Sequence, residues 1–400
     1  MKTSTIRILS TGVLVIAMAA ALCGCWSSVE LNERAFARVM ILDKSKDGIE
    51  LTLGFPLPNR ISGGITNGSS ASTEPPFALV TKIGRDLGEA YRLIQADLSR
   101  QITFGQLRNI LISKAFAQSG IYPIVDFLMR NTSIHINANL YVTDGPAKQI
   151  GRIPLTFERF LTDILTAYVK QQTTLRTTVK DVLMTTTTGG DFVLPMLVFG
   201  GFGAESERGG QHWMGTDGAA VFRQGKLVAQ LNSQETRAAL WIMDEIGIVV
   251  MRVKSPSDGK IISFQLFSNE SRIKPVLKGN QIRFVISCKG SAKIIASESA
   301  LDVTDRKNLA TLEQRVNQSL KERILRTVSQ TQSERSDAFG FGQLIRWRQP
   351  KTWNRIKGNW RDIYQKQVAV DADVAIHIKW FGGAQKPIWN IDLSDKEVSG

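Results

Sequence analysis

Lys2 and Arg7 precede an uninterrupted apolar run from Val13 to Leu22, and that run ends in Leu22-Cys23-Gly24-Cys25, with Trp26 directly behind. The run is too short to cross a hydrocarbon core of ~30 Å as a helix, so residues 1–24 read as a secretory leader. Cleavage after Gly24 places Cys25 at the mature N-terminus, where its thiol can carry two acyl chains. Leu-x-Gly-Cys at this register is a bacterial lipoprotein signature, and Cys25 is the expected lipidation site. One acyl chain gives marginal membrane binding, whereas two hold a protein stably at the surface. The expected form is tethered through palmitate-like chains and not membrane-spanning.

No second long apolar run follows Cys25. The rest should be a body held outside the membrane, and losing 24 of 400 residues leaves enough chain for two or three domains. Cys23 departs with the leader and Cys25 is acylated, which leaves Cys288 without a disulfide partner in an apolar stretch; a buried, inert thiol is expected there. The formal charge of +14 drops to about +12 once Lys2 and Arg7 are removed. So basic a body favours anionic neighbours, which for a tethered protein are lipid headgroups or wall polymers. Nucleic acid belongs to the wrong compartment and is not an expected partner.

Periodicity then divides the chain. Val39 to Leu42 and Ile49 to Phe55 read as strands joined by a hairpin turn at Lys46-Asp47-Gly48, followed by a polar loop over 59–76. Leu87, Ala90, Leu93, Ile94 and Leu98 recur at helical spacing, and Asn109 to Ser113 reads as a buried strand. A helix is expected over 120–130, then a strand from the alternation of Ile134, Ile136, Ala138, Leu140 and Val142, then helices over 157–169 and 179–184. Glycine and charge replace periodicity across Gly200 to Gly210, the best domain boundary. Beyond it come strands 219–222 and 226–231 around Gln224-Gly225, a helix 234–243, and strands 249–253, 261–267, 272–277 and 281–286. Leu309, Leu312, Val316, Leu320, Ile324 and Val328 mark one long amphipathic helix. Strands followed by a helix indicate an α+β, multidomain body of mixed sheets with packed helices. The expected division is a leader at 1–24, an α/β domain at 25–204 and an α+β domain at 205–400.

Several segments occur in an order that resembles the Ger(x)C family of spore germination lipoproteins. They are Cys25-Trp26, Glu30-Leu31-Asn32, Asp43-Lys44, Gly88-Glu89-Ala90-Tyr91-Arg92 and Gly120-Ile121-Tyr122-Pro123 with Asp126-Phe127-Leu128. The second half adds Gly218-Ala219-Ala220-Val221-Phe222, Gly225-Lys226-Leu227-Val228, Glu235-Thr236-Arg237 with Trp241, and Asp337-Ala338-Phe339-Gly340-Phe341-Gly342 followed by Pro350-Lys351-Thr352-Trp353. The similarity runs from Cys25 to about Trp380. Ser27 departs from it, since an acid commonly follows Cys-Trp in the family, and the loop over 59–76 is divergent. The resemblance implies the third subunit of a nutrient germinant receptor, anchored on the outer face of the spore inner membrane beside two integral membrane subunits. It leaves the nutrient, and any direct small-molecule ligand of this subunit, open.

The side-chain inventory points away from catalysis. His135, His212 and His377 are far apart, and no cysteine pair completes a zinc site, so neither a metal nor another cofactor is expected. Ser257-Asp258-Gly259-Lys260 and Ser271-Arg272-Ile273-Lys274 fit Ser-x-x-Lys but lack the partner motifs of serine acyltransferases, and chance explains both. Asp371 and Asp373 share one side of a strand and read as a solvated face. Gly340-Phe341-Gly342 lacks the frame of a phosphate loop and reads as a tight turn with Phe341 plugged into a core. Trp353, Ile356, Trp360 and Ile363 fall three or four apart after Pro350, so they are expected to form the packed face of one helix, with Lys351, Arg355, Lys357 and Arg361 outside. The leading alternative to a receptor subunit is a solute-binding lipoprotein of a transport system, which needs two similar lobes around a cleft. A wall-modifying enzyme ranks third, because nucleophile and acid/base constellations are absent.

Overall fold

The computed structural model describes residues 30–57, 76–200, 213–279 and 281–380, apart from 154, 156, 157 and 159, together with the isolated position Gly12. The leader, Cys25, the loop over 58–75, the boundary segment 201–212 and the tail from 381 lie outside the described residues.

In chain order the first half carries β1 (Arg34–Phe36), β2 (Val39–Ser45), β3 (Gly48–Pro56), β4 (Phe77–Gly84), α1 (Leu87–Asp97), β5 (Gln101–Thr103) and β6 (Asn109–Ser113). These are followed by α2 (Lys114–Ser119), α3 (Tyr122–Arg130), β7 (Asn139–Thr143), α4 (Leu161–Lys170), α5 (Val179–Thr185) and β8 (Phe192–Gly200). The second half carries β9 (Trp213–Arg223), β10 (Lys226–Leu231), α6 (Ser233–Ile242), β11 (Val249–Lys254), β12 (Ile261–Lys278) and β13 (Gln281–Ser297). It closes with α7 (Arg306–Ser333), α8 (Phe341–Arg348), α9 (Pro350–Ile356), α10 (Trp360–Lys366) and β14 (Val368–Trp380). The mixed α+β body expected from the sequence is what the chain forms.

An eight-stranded sheet in the order β10-β9-β8-β7-β6-β2-β3-β4 organises the first half. Its centre, β2-β6-β7-β8, is parallel, and antiparallel strands extend it on both sides. Parallel strands are buried on both faces, and the residues show why here. Met40, Leu42, Ile110, Ile112, Leu140 and Val142 pack on one core with residues of α1, α2 and α3, while Val39, Ile41, Leu111 and Tyr141 pack on another with α4. Asp43 is buried at the end of β2 and accepts from the backbone N–H of Ala147 (2.7 Å) and Lys148 (2.9 Å). Burial pushes its pKa up, against the pull of those two donors.

Strands β9 and β10, which follow residue 204, add to this same sheet, so the segments on either side of 201–212 share it. A separate four-stranded sheet, β11-β12-β13-β14, is antiparallel except for the β13–β14 pair. The long helix α7 lays Leu312, Val316, Leu320, Ile324 and Val328 into the core that it shares with this sheet and with α6. Asp305 starts α7 by accepting from the N–H of Lys307 and Asn308, both at 2.9 Å.

Three expectations about elements need correction, and one helix has no counterpart among them. The alternation from Ile134 to Val142 is a strand only over Asn139–Thr143; backbone turns bond Ile134 to Asn131 and Ala138 to His135, and Ile136 is exposed. The strands expected at 261–267 and 272–277 are one strand, β12, whose register shifts between Phe267 and Glu270, with Ser268 in the left-handed region (φ 53°). The helix α2 over Lys114–Ser119 was not anticipated; Ser113 caps it by accepting from the Phe116 N–H. The single helix expected after Pro350 is two, α9 and α10, separated by a short 3₁₀ turn at Lys357–Asn359, where Gly358 weakens the helix.

Candidate functional site

The segment that follows α7 builds the joint between the two halves. Arg335 adopts a left-handed conformation (φ 55°) just past the helix end, and Ser336 Oγ donates to the carbonyl of Phe222 on β9 at 2.8 Å. Asp337 is then fully enclosed. Its carboxylate accepts from the backbone N–H of Phe341 (2.8 Å) and Gly342 (2.7 Å) at the start of α8, and from Trp360 Nε1 (2.8 Å). Burial nevertheless pushes its pKa up to about 7, since the charged form loses water on every side.

Asp191, just before β8, forms the other half of the joint. One of its oxygens accepts from the Asp337 N–H (3.1 Å), and the other from the Gln224 N–H (3.0 Å) and from Arg361 Nη2 (2.9 Å). Arg361 Nη2 also donates to the Gly189 carbonyl at 2.7 Å, and Arg223 Nη1 to the Glu334 carbonyl at 2.7 Å. The start of β8, the β9–β10 turn, the end of α7 and α10 are thereby tied at one place. Gln224 and Gly225 in that turn both have positive φ (51° and 72°), as a two-residue hairpin requires.

Aromatic rings fill the space beneath. Phe341 sits edge-on to Phe284 of β13 at 4.8 Å, Trp353 edge-on to Trp360 at 5.6 Å, and Tyr364 bonds Thr331 Oγ1 at 2.8 Å. Gly342 is required by this packing, because a Cβ there would meet Trp360 Nε1 at 2.7 Å and Trp353 Cζ3 at 2.9 Å. Phe341 is buried as the sequence implied, and so are Trp353, Trp360 and Ile363. Outside the rings lie two shallow depressions. The larger, about 640 Å³, is lined by Met184, Arg346, Trp347, Pro350, Trp353 and Lys357; the other, about 370 Å³, lies beside Gly189, Arg335, Lys357 and Arg361.

The other candidates remain scattered. Cys25 and His212 lie outside the described residues. Cys288 is buried on β13 with Ser271 Oγ at 3.6 Å, and burial pushes its thiol up to about 11, a poor nucleophile. His135 is exposed in the turn before β7, and His377 on β14 lies 3.8 Å from Glu313. Among the described residues no group of three His, Cys, Asp or Glu side chains is arranged to hold a metal ion. Ser271 is buried while Lys274, three residues along the same strand, is exposed on the opposite face; Ser257 bonds Ser255 in a turn. Asp371 pairs with Lys321 and Arg283, each at 3.0 Å, and Asp373 is exposed, so both belong to a solvated face. Asp191 and Arg361 had no reading as a pair, because only the fold brings residues 170 apart into contact.

Comparison with known proteins places this α+β body. The model for the spore germination protein N-terminal domain matches residues 27–199, and that for the "Spore germination B3/ GerAC like, C-terminal" domain matches 217–382. Spore germination protein KC of Bacillus subtilis (strain 168) is 23% identical over 94% of this chain and 96% of its own length, and spore germination protein B3 of the same organism is 25% identical over 92% and 97%. The crystal structure of the GerBC protein superimposes with a TM-score of 0.54 at 18% identity, covering 86% of this chain and 98% of that one, and shows the same fold. The chain belongs to the Ger(x)C family of spore germination proteins. The transport alternative loses its support: the two halves are not similar lobes, one being an eight-stranded sheet and the other a four-stranded sheet packed on one long helix.

Proposed function

We infer that this chain is a non-enzymatic lipoprotein subunit of a spore nutrient germinant receptor, acting beside integral membrane subunits at the spore inner membrane. The observation that carries the reading is ordered similarity along the whole body: both family matches occur in sequence, and the relatives are covered nearly end to end. Cys25 is the lipidation site in this reading and holds the body on the outer face of the membrane. Among the described residues no helix is long and apolar enough to cross a membrane, which fits a lipid tether. The body divides into units at 25–204 and 205–400, the second lending β9 and β10 to the sheet of the first. Such a subunit supplies binding free energy. It stabilises one state of a membrane partner through contacts that differ between the two states.

Affinity purification of the tagged chain from detergent-solubilised spore membranes tests the reading. Integral membrane proteins in fixed proportion to the chain are expected. Recovery of the chain alone under conditions that keep membrane complexes intact would overturn it.

A further inference from the structure

From Ala338 through Arg361 the chain contains no Asp or Glu, yet it contains Arg346, Arg348, Lys351, Arg355, Lys357 and Arg361. The fold sorts these cations. Arg361 turns inward to Asp191, whereas Arg348, Lys351, Arg355 and Lys357 are exposed and make no ion pair among the described residues. Trp347 stands among them at 61% exposure, beside Met184, which is 38% exposed. The same helices bury Phe341, Ile345 and Trp353, so Trp347 is not needed by the core. A cationic rim around an exposed indole and a shallow apolar depression matches a lipid headgroup layer, where tryptophan settles at the boundary and basic side chains meet phosphate.

The topology places this face near the point where the chain enters the body. Residues 184–191, against which α8–α10 pack, lead into the first residue of β8. Glu30 to Arg38 lead into the first residue of β2. Strands β2, β6, β7 and β8 are parallel neighbours, so both approaches lie at one edge of the sheet, roughly 15 Å apart at three strand spacings. Cys25 is five Cα steps from Glu30, a distance of at most ~17 Å when extended. A lipid on Cys25 is thus attached on the lead-in side of β2, the end of the sheet that residues 184–191 also approach.

We propose that the exposed face of α8 and α9, with Trp347 ringed by Arg348, Lys351, Arg355 and Lys357, docks on the anionic lipid surface and orients the tethered body upon it. This deepens the lipoprotein reading and rests on it for the geometry of the tether. A stable lipid tether and a weak docking face together hold the body in one attitude, which a flexible tether alone does not do.

The test uses the mature chain with Cys25→Ser, so that acylation plays no part. Sedimentation with vesicles of phosphatidylglycerol and phosphatidylcholine, compared with phosphatidylcholine alone, measures docking at low and high salt. The expected result is binding to the anionic vesicles only, lost at high salt, and weakened about tenfold or more by Arg348→Glu, Lys351→Glu and Arg355→Glu together. The matched triple Lys44→Glu, Lys46→Glu and Lys254→Glu, all exposed and at the far ends of their strands from this face, is expected to bind nearly as the parent does. Trp347→Ala should weaken vesicle binding while leaving binding to soluble polyphosphate unchanged. Equal losses in the two triples would mean that net charge alone attracts the body, and would overturn the proposal. So would a Trp347→Ala chain that binds vesicles as well as the parent, or a face triple that binds vesicles normally yet abolishes germination, which would assign the face to a protein. Melting temperatures of the purified variants exclude unfolding as the cause. Failure of the Cys25 anchor would show in membrane fractionation of acylated protein, a different measurement.

Discussion

Asp337 shows how a single carboxylate can serve as a joint. It holds three N–H donors while sealed from water, and burial raises its pKa to about 7. A folded-state value above the unfolded one means that the group's contribution to stability is complete below the unfolded value, near 4, and is lost as pH rises through about 7. Thermal melting of the body is therefore expected to fall between about pH 4 and about pH 7 by an increment that Asp337→Asn removes. The Asn variant should also melt lower throughout, because its amide N–H₂ faces one of the donors that the carboxylate accepts. A parent and variant with parallel profiles would contradict this assignment. The neighbouring glycines separate two costs. Gly342→Ala drives a methyl into two indole rings and should cost about 1–3 kcal/mol. At Gly340 an added Cβ meets nothing closer than Gln343 at 3.8 Å, so Gly340→Ala carries mainly the strain of its positive φ (74°), about 1–2 kcal/mol. Chemical denaturation of the purified body measures both.

At the scale of elements, legibility followed the strength of the local signal. The stripe from Leu312 to Val328 is sustained over several turns, and its helix is present from Arg306 to Ser333. Leu312→Ala is expected to destabilise the body by about 2–5 kcal/mol, whereas the exposed Arg315→Ala should stay within about 0.5 kcal/mol. The β2–β3 and β9–β10 hairpins were equally legible, since their turn residues fix both register and direction. Ile134 and Ile136 misled because alternation is brief there and Asn131, Ser133 and Asn137 favour turns; the tertiary fold buries Ile134 from a turn and leaves Ile136 outside. The break at Gly358 leaves no periodic signal, because the apolar spacing continues across it and Trp353 and Trp360 both reach the core from different helices. The Asp191–Arg361–Asp337 joint was not legible at all. Its partners lie 146 and 170 residues apart, and no local period encodes a contact between a strand start and a helix more than a hundred residues later.

The whole molecule combines a basic chain with two family domains that share one sheet, and the proposed leader over 1–24 leaves Cys25 as its tether. In this account Cys25→Ala blocks acylation and releases the body from membranes in moderate salt, because basic side chains alone give weak, salt-sensitive attachment. A variant retained as firmly as the parent in a salt-washed membrane fraction would contradict the anchor. Catalysis has no supported constellation among the described residues, so alanine at His135, Ser257, Ser271, His377 or Cys288 should leave some nutrient response wherever the protein folds. The most direct test of a receptor subunit is germination of spores that lack this chain, followed for individual nutrients and for a trigger that bypasses the nutrient receptors. Loss of the response to a particular nutrient, with the bypass response intact, is the expected result; unchanged responses to every nutrient to which the parent spores respond would contradict it.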